Sequence, residues 1–306
     1  APSGVAIDPT GAFALVADTN NHRIRRVDVS TGATTTLAGS GAGYGDGVGT
    51  SARFSYPRGV AIDPTGAFAL VADKSNHRIR RVDVSTGTTT TLAGSTEGSS
   101  DGVGTSAQFY QPNGVAIDPT GAFALVADTN NNRIRRVDVS TGATTTLAGS
   151  TSGYSDGVGT SAQFYTPSGV AIDPTGAFAL VADTNNNRIR RVDVSTGATT
   201  TLAGSTSGYS DGVGTSAQFY TPSGVAIDPT GAFALVADLL NHRIRRVDVS
   251  TGATTTLAGS TSGYSYGVGT SAQFYHPRGV AIDPTGAFAL VADSNNNRIR
   301  RVDVAA

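Results

Sequence analysis

The chain has 306 residues, 38% hydrophobic and 15% charged, with a formal net charge of −1. This composition supports a buried core and excludes the highly charged, apolar-poor class of disordered chains. It offers no cysteine for disulfide or thiolate chemistry, no long apolar run of the kind that spans a bilayer, and no overall basic charge for tracking a nucleic-acid backbone.

The phrase GVAIDPTGAFALVAD begins at Gly4, Gly59, Gly114, Gly169, Gly224 and Gly279, a period of 55 residues that runs through the whole chain. Within each period four strands are predicted in order. GVAI is the first, ended by the breaker Asp8-Pro9-Thr10-Gly11. AFALVAD is the second. It is apolar on both faces (Phe13, Leu15 and Ala17 against Ala12, Ala14 and Val16), which requires a layer packed on either side. RIRRVDV, the third, is half polar and belongs nearer solvent. Ser30-Thr31-Gly32 then turns the chain into ATTTLAG, whose threonines suit an outer strand. No helical apolar period occurs.

Small antiparallel units graded from apolar inner strands to polar outer ones predict an all-β, six-bladed β-propeller of four-stranded blades, one domain over residues 1–306. A parallel β-helix fits less well, since its coils are shorter and carry no hairpin turn of this kind. The sixth copy stops after RIRRVDV, so the last blade is expected to lack its outermost strand. Its arginine-rich edge resists edge pairing, which favours a monomer; the alternative is a dimer joined edge to edge.

PSGVAID, FALVAD and TNNHRI resemble the NHL-repeat family, whose copies read roughly P-x-G-V-A-V-D, Y-V-A-D and N-H-R-I. The tail TTTLAGSTSGYSDGVGTSAQFYTP is similar to the long-spaced branch, with its G-x-x-D-G-x-G-x-x-A-x-F linker. The likeness covers essentially the whole chain and implies a six-bladed propeller. It implies little about chemistry, because such propellers serve in RNA binding, protein binding and, in a few relatives, lyase or hydrolase activity. The near-identity of the copies departs from natural blades and fits recent amplification or a consensus sequence.

Variation between copies concentrates in the loop after the second strand (TNNH, KSNH, TNNN, TNNN, LLNH, SNNN) and in the linker to the next blade. Both are predicted on one face, which would meet a protein or small ligand. The residue before each GVAI strand is Ser3, Arg58, Asn113, Ser168, Ser223 or Arg278, and these six are expected to ring the channel mouth. Around a closed ring Arg58 and Arg278 flank Ser3, each with an aromatic or imidazole two residues upstream, Tyr56 and His276. Two guanidiniums and an imidazole would suit a phosphate, sulfate or carboxylate, with Ser3 and Asn113 beside them.

Other constellations are read structurally. Arg23, Arg25 and Arg26 beside Asp18 and Asp28 predict Arg–Asp ladders. Asp46-Gly47-x-Gly49 is read as a turn, not a calcium loop, because the further carboxylates are missing. His22, His77 and His242 alternate with Asn132, Asn187 and Asn297, a swap that argues against a metal or a general base. Leu239 and Leu240 are expected at an apolar loop tip. No cofactor is implied. Glu97 is the sole glutamate, and sixfold repetition works against the unlike groups that catalysis needs. The expected function is a non-catalytic binding scaffold presenting its variable face around a channel. A lectin-like module using Tyr44, Tyr154, Tyr209 and Tyr264 is the first alternative, and a lyase or hydrolase with a site on the axis is the second.

Overall fold

In the computed structural model, which describes residues 1–304, each repeat forms one antiparallel sheet. Blade two is representative: Pro57–Ile62, Phe68–Asp73, Arg78–Asp83 and Thr89–Gly94 pair in chain order. Among the described residues the sixth blade contains three strands, Pro277–Ile282, Phe288–Asp293 and Arg298–Asp303. The first strand of blade one, Pro2–Ile7, packs against both Pro57–Ile62 and Pro277–Ile282, so the ring closes. The molecule is therefore a six-bladed all-β propeller.

The invariant glycine of GVAI has a steric cause. A Cβ on Gly59 would stand 2.4 Å from the carbonyl oxygen of Asn113 in the next blade, and the other five first-strand glycines meet their neighbours in the same way. First strands can approach the axis this closely only without side chains there. The double-sided second strand is sandwiched as its pattern requires. Between blades one and two, Phe13, Leu15, Ile24, Phe54, Val60 and Val71 form one cluster, and the next junctions repeat it. Phe54 and its counterparts Phe109, Phe164, Phe219 and Phe274 come from the linkers and are buried.

The linker does more than the sequence reading allowed. In three copies it adds a short fifth strand to the following blade: Gly102–Val103 pairs with Ala143–Ala148, Gly157–Val158 with Ala198–Gly204, and Gly212–Val213 with Ala253–Gly259. A strand of two residues, one of them glycine, carries too little periodicity to be recognised.

The expected Arg–Asp ladders also need correction, because the three arginines of RIRR do three different things. Taking blade two, Arg78 lies over the ring of Tyr44 at 4.0 Å and Arg81 over Phe68 at 3.4 Å. Only Arg80 is an ion-pair hub. It is buried and donates to Asp73 (2.9 Å), Asp46 (2.6 Å) and the carbonyls of Arg53 and Gly45. Asp46 is thus an arginine acceptor as well as part of a turn.

The Asp-Ser-Thr-Gly turns are capped locally. Asp138 accepts from the Ser140 hydroxyl and from the amide and hydroxyl of Thr141, which together lower its pKa from 3.8 to about 2. A depressed carboxyl contributes stability that is complete above the unfolded value and is lost as pH falls through the folded one. The melting-temperature gap between wild type and Asp138→Asn should therefore be present near pH 5 and close toward pH 2. A gap independent of pH would show that the charge does not stabilise the turn.

Candidate functional site

Ser3, Arg58, Asn113, Ser168, Ser223 and Arg278 surround one end of the channel, while the isoleucines of the first strands, from Ile7 to Ile282, line the other. The polar end is narrow, with a cavity of about 80 Å³. Beside it lies a second polar pocket of about 110 Å³, bounded by Arg58, Arg278, Ser3, Asn20 and Asn295. Arg58 and Arg278 thus face the same space from either side of blade one. Arg58 reaches the Ser3 hydroxyl at 3.4 Å, and its Nε is buried without a partner.

A third cation joins them. Lys74 occupies the position where Thr19, Thr129, Thr184 and Ser294 donate a hydroxyl to a proline carbonyl of the next blade. Burial first, and then the charges of Arg58 and Arg278, push the Lys74 ammonium below its usual range. Arg58 is brought down to about 10 by burial and by the charge of Arg278, and Arg278 is lowered by burial. The side-chain cations that form ion pairs among the described residues are Arg25, Arg80, Arg135, Arg190, Arg245, Arg300 and Arg301. Arg58, Lys74 and Arg278 are not among them. Sequence reading missed Lys74 as a member, although a lone lysine in the most divergent loop was a visible signal.

Tyr56 and His276 lie outside the lining of both pockets. Each occupies a left-handed turn, at φ 51° and 55°, that directs it toward the preceding blade. Tyr56 packs edge-on against His22, and His276 stacks on His242 with centroids 5.1 Å apart. The charge of Arg278 still reaches His276: burial first, then Arg278, lowers its pKa. Asn113 stays on the ring, in the blade next to that of Arg58, with its backbone amide donating to the Ala127 carbonyl.

The same geometry accounts for the His/Asn alternation. His22, His77 and His242 sit at φ 57° and use Nδ1 to accept an amide of the next linker, from Tyr56, Gln111 and His276. Asn132 and Asn187 adopt the same conformation and accept from Thr166 and Thr221 through Oδ1. Both residue types tolerate the turn and supply an acceptor, so either serves. The exposed tyrosines proposed as sugar platforms have a face taken by arginine: Tyr154 by Arg188 at 4.5 Å and Tyr209 by Arg243 at 3.7 Å. Leu239 is 9% exposed, tucked into the Thr19 position, and is not at a loop tip. Among the described residues no three His, Asp or Glu side chains gather as a metal site.

A closed ring of six antiparallel blades around a narrow channel defines a six-bladed β-propeller. The NHL-repeat family model matches residues 54–82, 109–137 and 274–302, and the chain is an NHL-repeat propeller. It is 31% identical to the Arabidopsis thaliana protein SUPPRESSOR OF QUENCHING 1, chloroplastic, over 99% of this chain and 30% of that protein. It is 28% identical to human NHL repeat-containing protein 2, over 99% of this chain and 46% of that one. The chain thus spans less than half the length of these relatives. An auxiliary nutrient binding protein from Bacteroides thetaiotaomicron shares the fold, with a TM-score of 0.74 at 20% identity, covering 98% of this chain and 68% of the other.

Proposed function

We propose that this propeller is a non-catalytic binding module whose channel mouth takes a small, multiply charged oxyanion. One observation carries the reading: Arg58 and Arg278 line one polar pocket without an ion-pair partner, and Lys74, also unpaired, stands near enough to feel both charges. Like charges held together out of water cost folding free energy, and an anion between them removes that cost. Arginine forks matched to tetrahedral or carboxylate oxygens add directional hydrogen bonds. The pocket is lined by two guanidiniums with hydroxyl and amide groups, a set suited to holding charge and without a paired nucleophile and base.

Other blades supply the control residues. The triple variant Arg58→Ser, Lys74→Thr, Arg278→Ser installs what Ser3, Thr19, Ser168 and Ser223 already provide elsewhere. In chloride it should melt above wild type, because the repulsion is gone. Added phosphate at constant ionic strength should raise the wild-type melting temperature and leave the triple variant unmoved. If phosphate moves both proteins equally, the mouth is not the site.

A further inference from the structure

Five linkers enter the next blade through a left-handed residue, Tyr56, Gln111, Thr166, Thr221 or His276, with φ between 51° and 55°. That conformation is strained for a residue with a side chain and needs support. In each linker the backbone amide of that residue donates to the side chain that ends a short turn of the preceding blade. His22, His77 and His242 accept through Nδ1 at 3.1, 3.3 and 3.3 Å, and Asn132 and Asn187 through Oδ1 at 2.9 Å. Two residues beyond each held amide stands a member of the channel-mouth ring. The histidines hold the linkers that lead to Arg58, Asn113 and Arg278, and the asparagines hold those that lead to Ser168 and Ser223. Both arginines of the mouth are thus placed through a histidine.

The two kinds of acceptor differ in one property. A carboxamide oxygen accepts at any pH near neutral. An imidazole accepts at Nδ1 only while neutral, with its proton on Nε2, and the imidazolium meets the amide with a second donor. We propose that His22 and His242 are positioning residues for Arg58 and Arg278, and that their protonation in mild acid releases both linkers and weakens the hold on an oxyanion. The effect on binding rests on the oxyanion reading of the mouth; the release itself does not. The Arg278 linker depends on its histidine more. Thr19 also donates its hydroxyl to the Pro57 carbonyl at 2.7 Å, whereas Leu239, in the same position before His242, has no hydroxyl to offer Pro277.

The surroundings set the pH range. His242 faces the stacked ring of His276, the ring of Tyr275 and the charges of Arg243 and Asp293. Burial first, then His276 and Arg243, lowers its pKa from the usual 6.5. Stability from the neutral ring is therefore complete above that value and is lost as the pH falls through the folded one. His22 is packed edge-on against Tyr56. His77 lies beside Tyr110, Glu97 and Arg78, and burial, the first cause, lowers it as well. An imidazolium charge favours an anion, but neither His22 nor His242 lines the mouth pockets, and a partly exposed charge outside them is screened. Loss of the directed guanidinium bonds is the larger effect.

The test is sulfate, whose charge stays constant over this range, titrated into the 306-residue chain by calorimetry at about pH 7.5 and about pH 5.5. Wild-type affinity should fall about tenfold between the two. The double variant His22→Asn, His242→Asn installs the acceptor that Asn132 and Asn187 already provide, and should bind at both pH values as wild type does at the higher one. His276 remains in both proteins and so does not account for the difference. Of the single variants, His242→Asn should remove more of the pH dependence than His22→Asn. Amide hydrogen exchange by NMR, corrected for the intrinsic effect of pH, reads the release without any anion. Tyr56 and His276 should lose protection in acid while Thr166 and Thr221 keep it. Unchanged protection at Tyr56 and His276, or an equal acid loss of affinity in the double variant, would overturn the proposal. Acid-dependent protection without sulfate binding at either pH would overturn the oxyanion reading and, with it, the role of the histidines in placing the arginines for an anion.

Discussion

Arg135→Ala is expected to destabilise the propeller by about 3–5 kcal/mol, whereas Arg25→Ala, the same substitution in the same motif, should cost under about 1 kcal/mol. Arg135 is fully buried, and its removal leaves Asp128, also fully buried, with its charge uncompensated. Burial already pushes the Asp128 carboxyl upward against the hydrogen bonds of Asn131, Tyr110 and Arg135. The Gln108 and Ser100 carbonyls lose a donor at the same time. Arg25 has a solvent-facing guanidinium, and water replaces what it gives up. Urea unfolding of both variants reads the difference directly. Equal midpoints would mean that the linker contacts of Arg135 add nothing to stability.

Phe109→Ala should be of similar size, about 3–5 kcal/mol. The ring is fully buried among Leu70, Ile79, Val115, Val126 and Val137, which come from two consecutive blades. Gly94 comes so close that a Cβ there would lie 2.9 Å from this ring, so the surroundings cannot collapse without moving backbone. Phe109→Leu should recover part of the loss, as volume-conserving changes do. Arg135 lies over the same ring, with its guanidinium 5.3 Å from the centroid, so the two substitutions share a neighbourhood and should not add. Chemical denaturation of the single and double variants measures the coupling. Strict additivity would mean that the two side chains act independently.

The parts of this fold that were legible in the sequence are those fixed by short-range rules. Asp8-Pro9-Thr10-Gly11 forms the expected turn, with the Asp8 carboxylate accepting from the amides of Thr10 and Phe13 and with Gly11 at φ 77°. The two-sided apolar pattern of FALVAD required layers on both sides, and the short last blade followed from the copy count. The division of labour in RIRR was not legible. Arg23, Arg25 and Arg26 look alike as letters, and alternation sends Arg23 and Arg25 to one face of the sheet and Arg26 to the other, without saying which of the first two becomes the buried hub. Which face meets the preceding linker depends on the ring. The placement of Ser3, Arg58 and Arg278 came from counting around a closed circle, but Lys74 sits in a different loop and joins them only in three dimensions. Leu239 was misplaced because the buried character of its position is set by the neighbouring blade, and four of the other five copies carry a hydroxyl residue there.

The most direct test of the cationic mouth is a crystal structure of the chain grown with selenate, a tetrahedral dianion with an anomalous signal. An ordered selenium peak within hydrogen-bond reach of Arg58 and Arg278 is the predicted result. Well-ordered arginines around a mouth without such a peak, at selenate concentrations that populate sites elsewhere on the molecule, would contradict it.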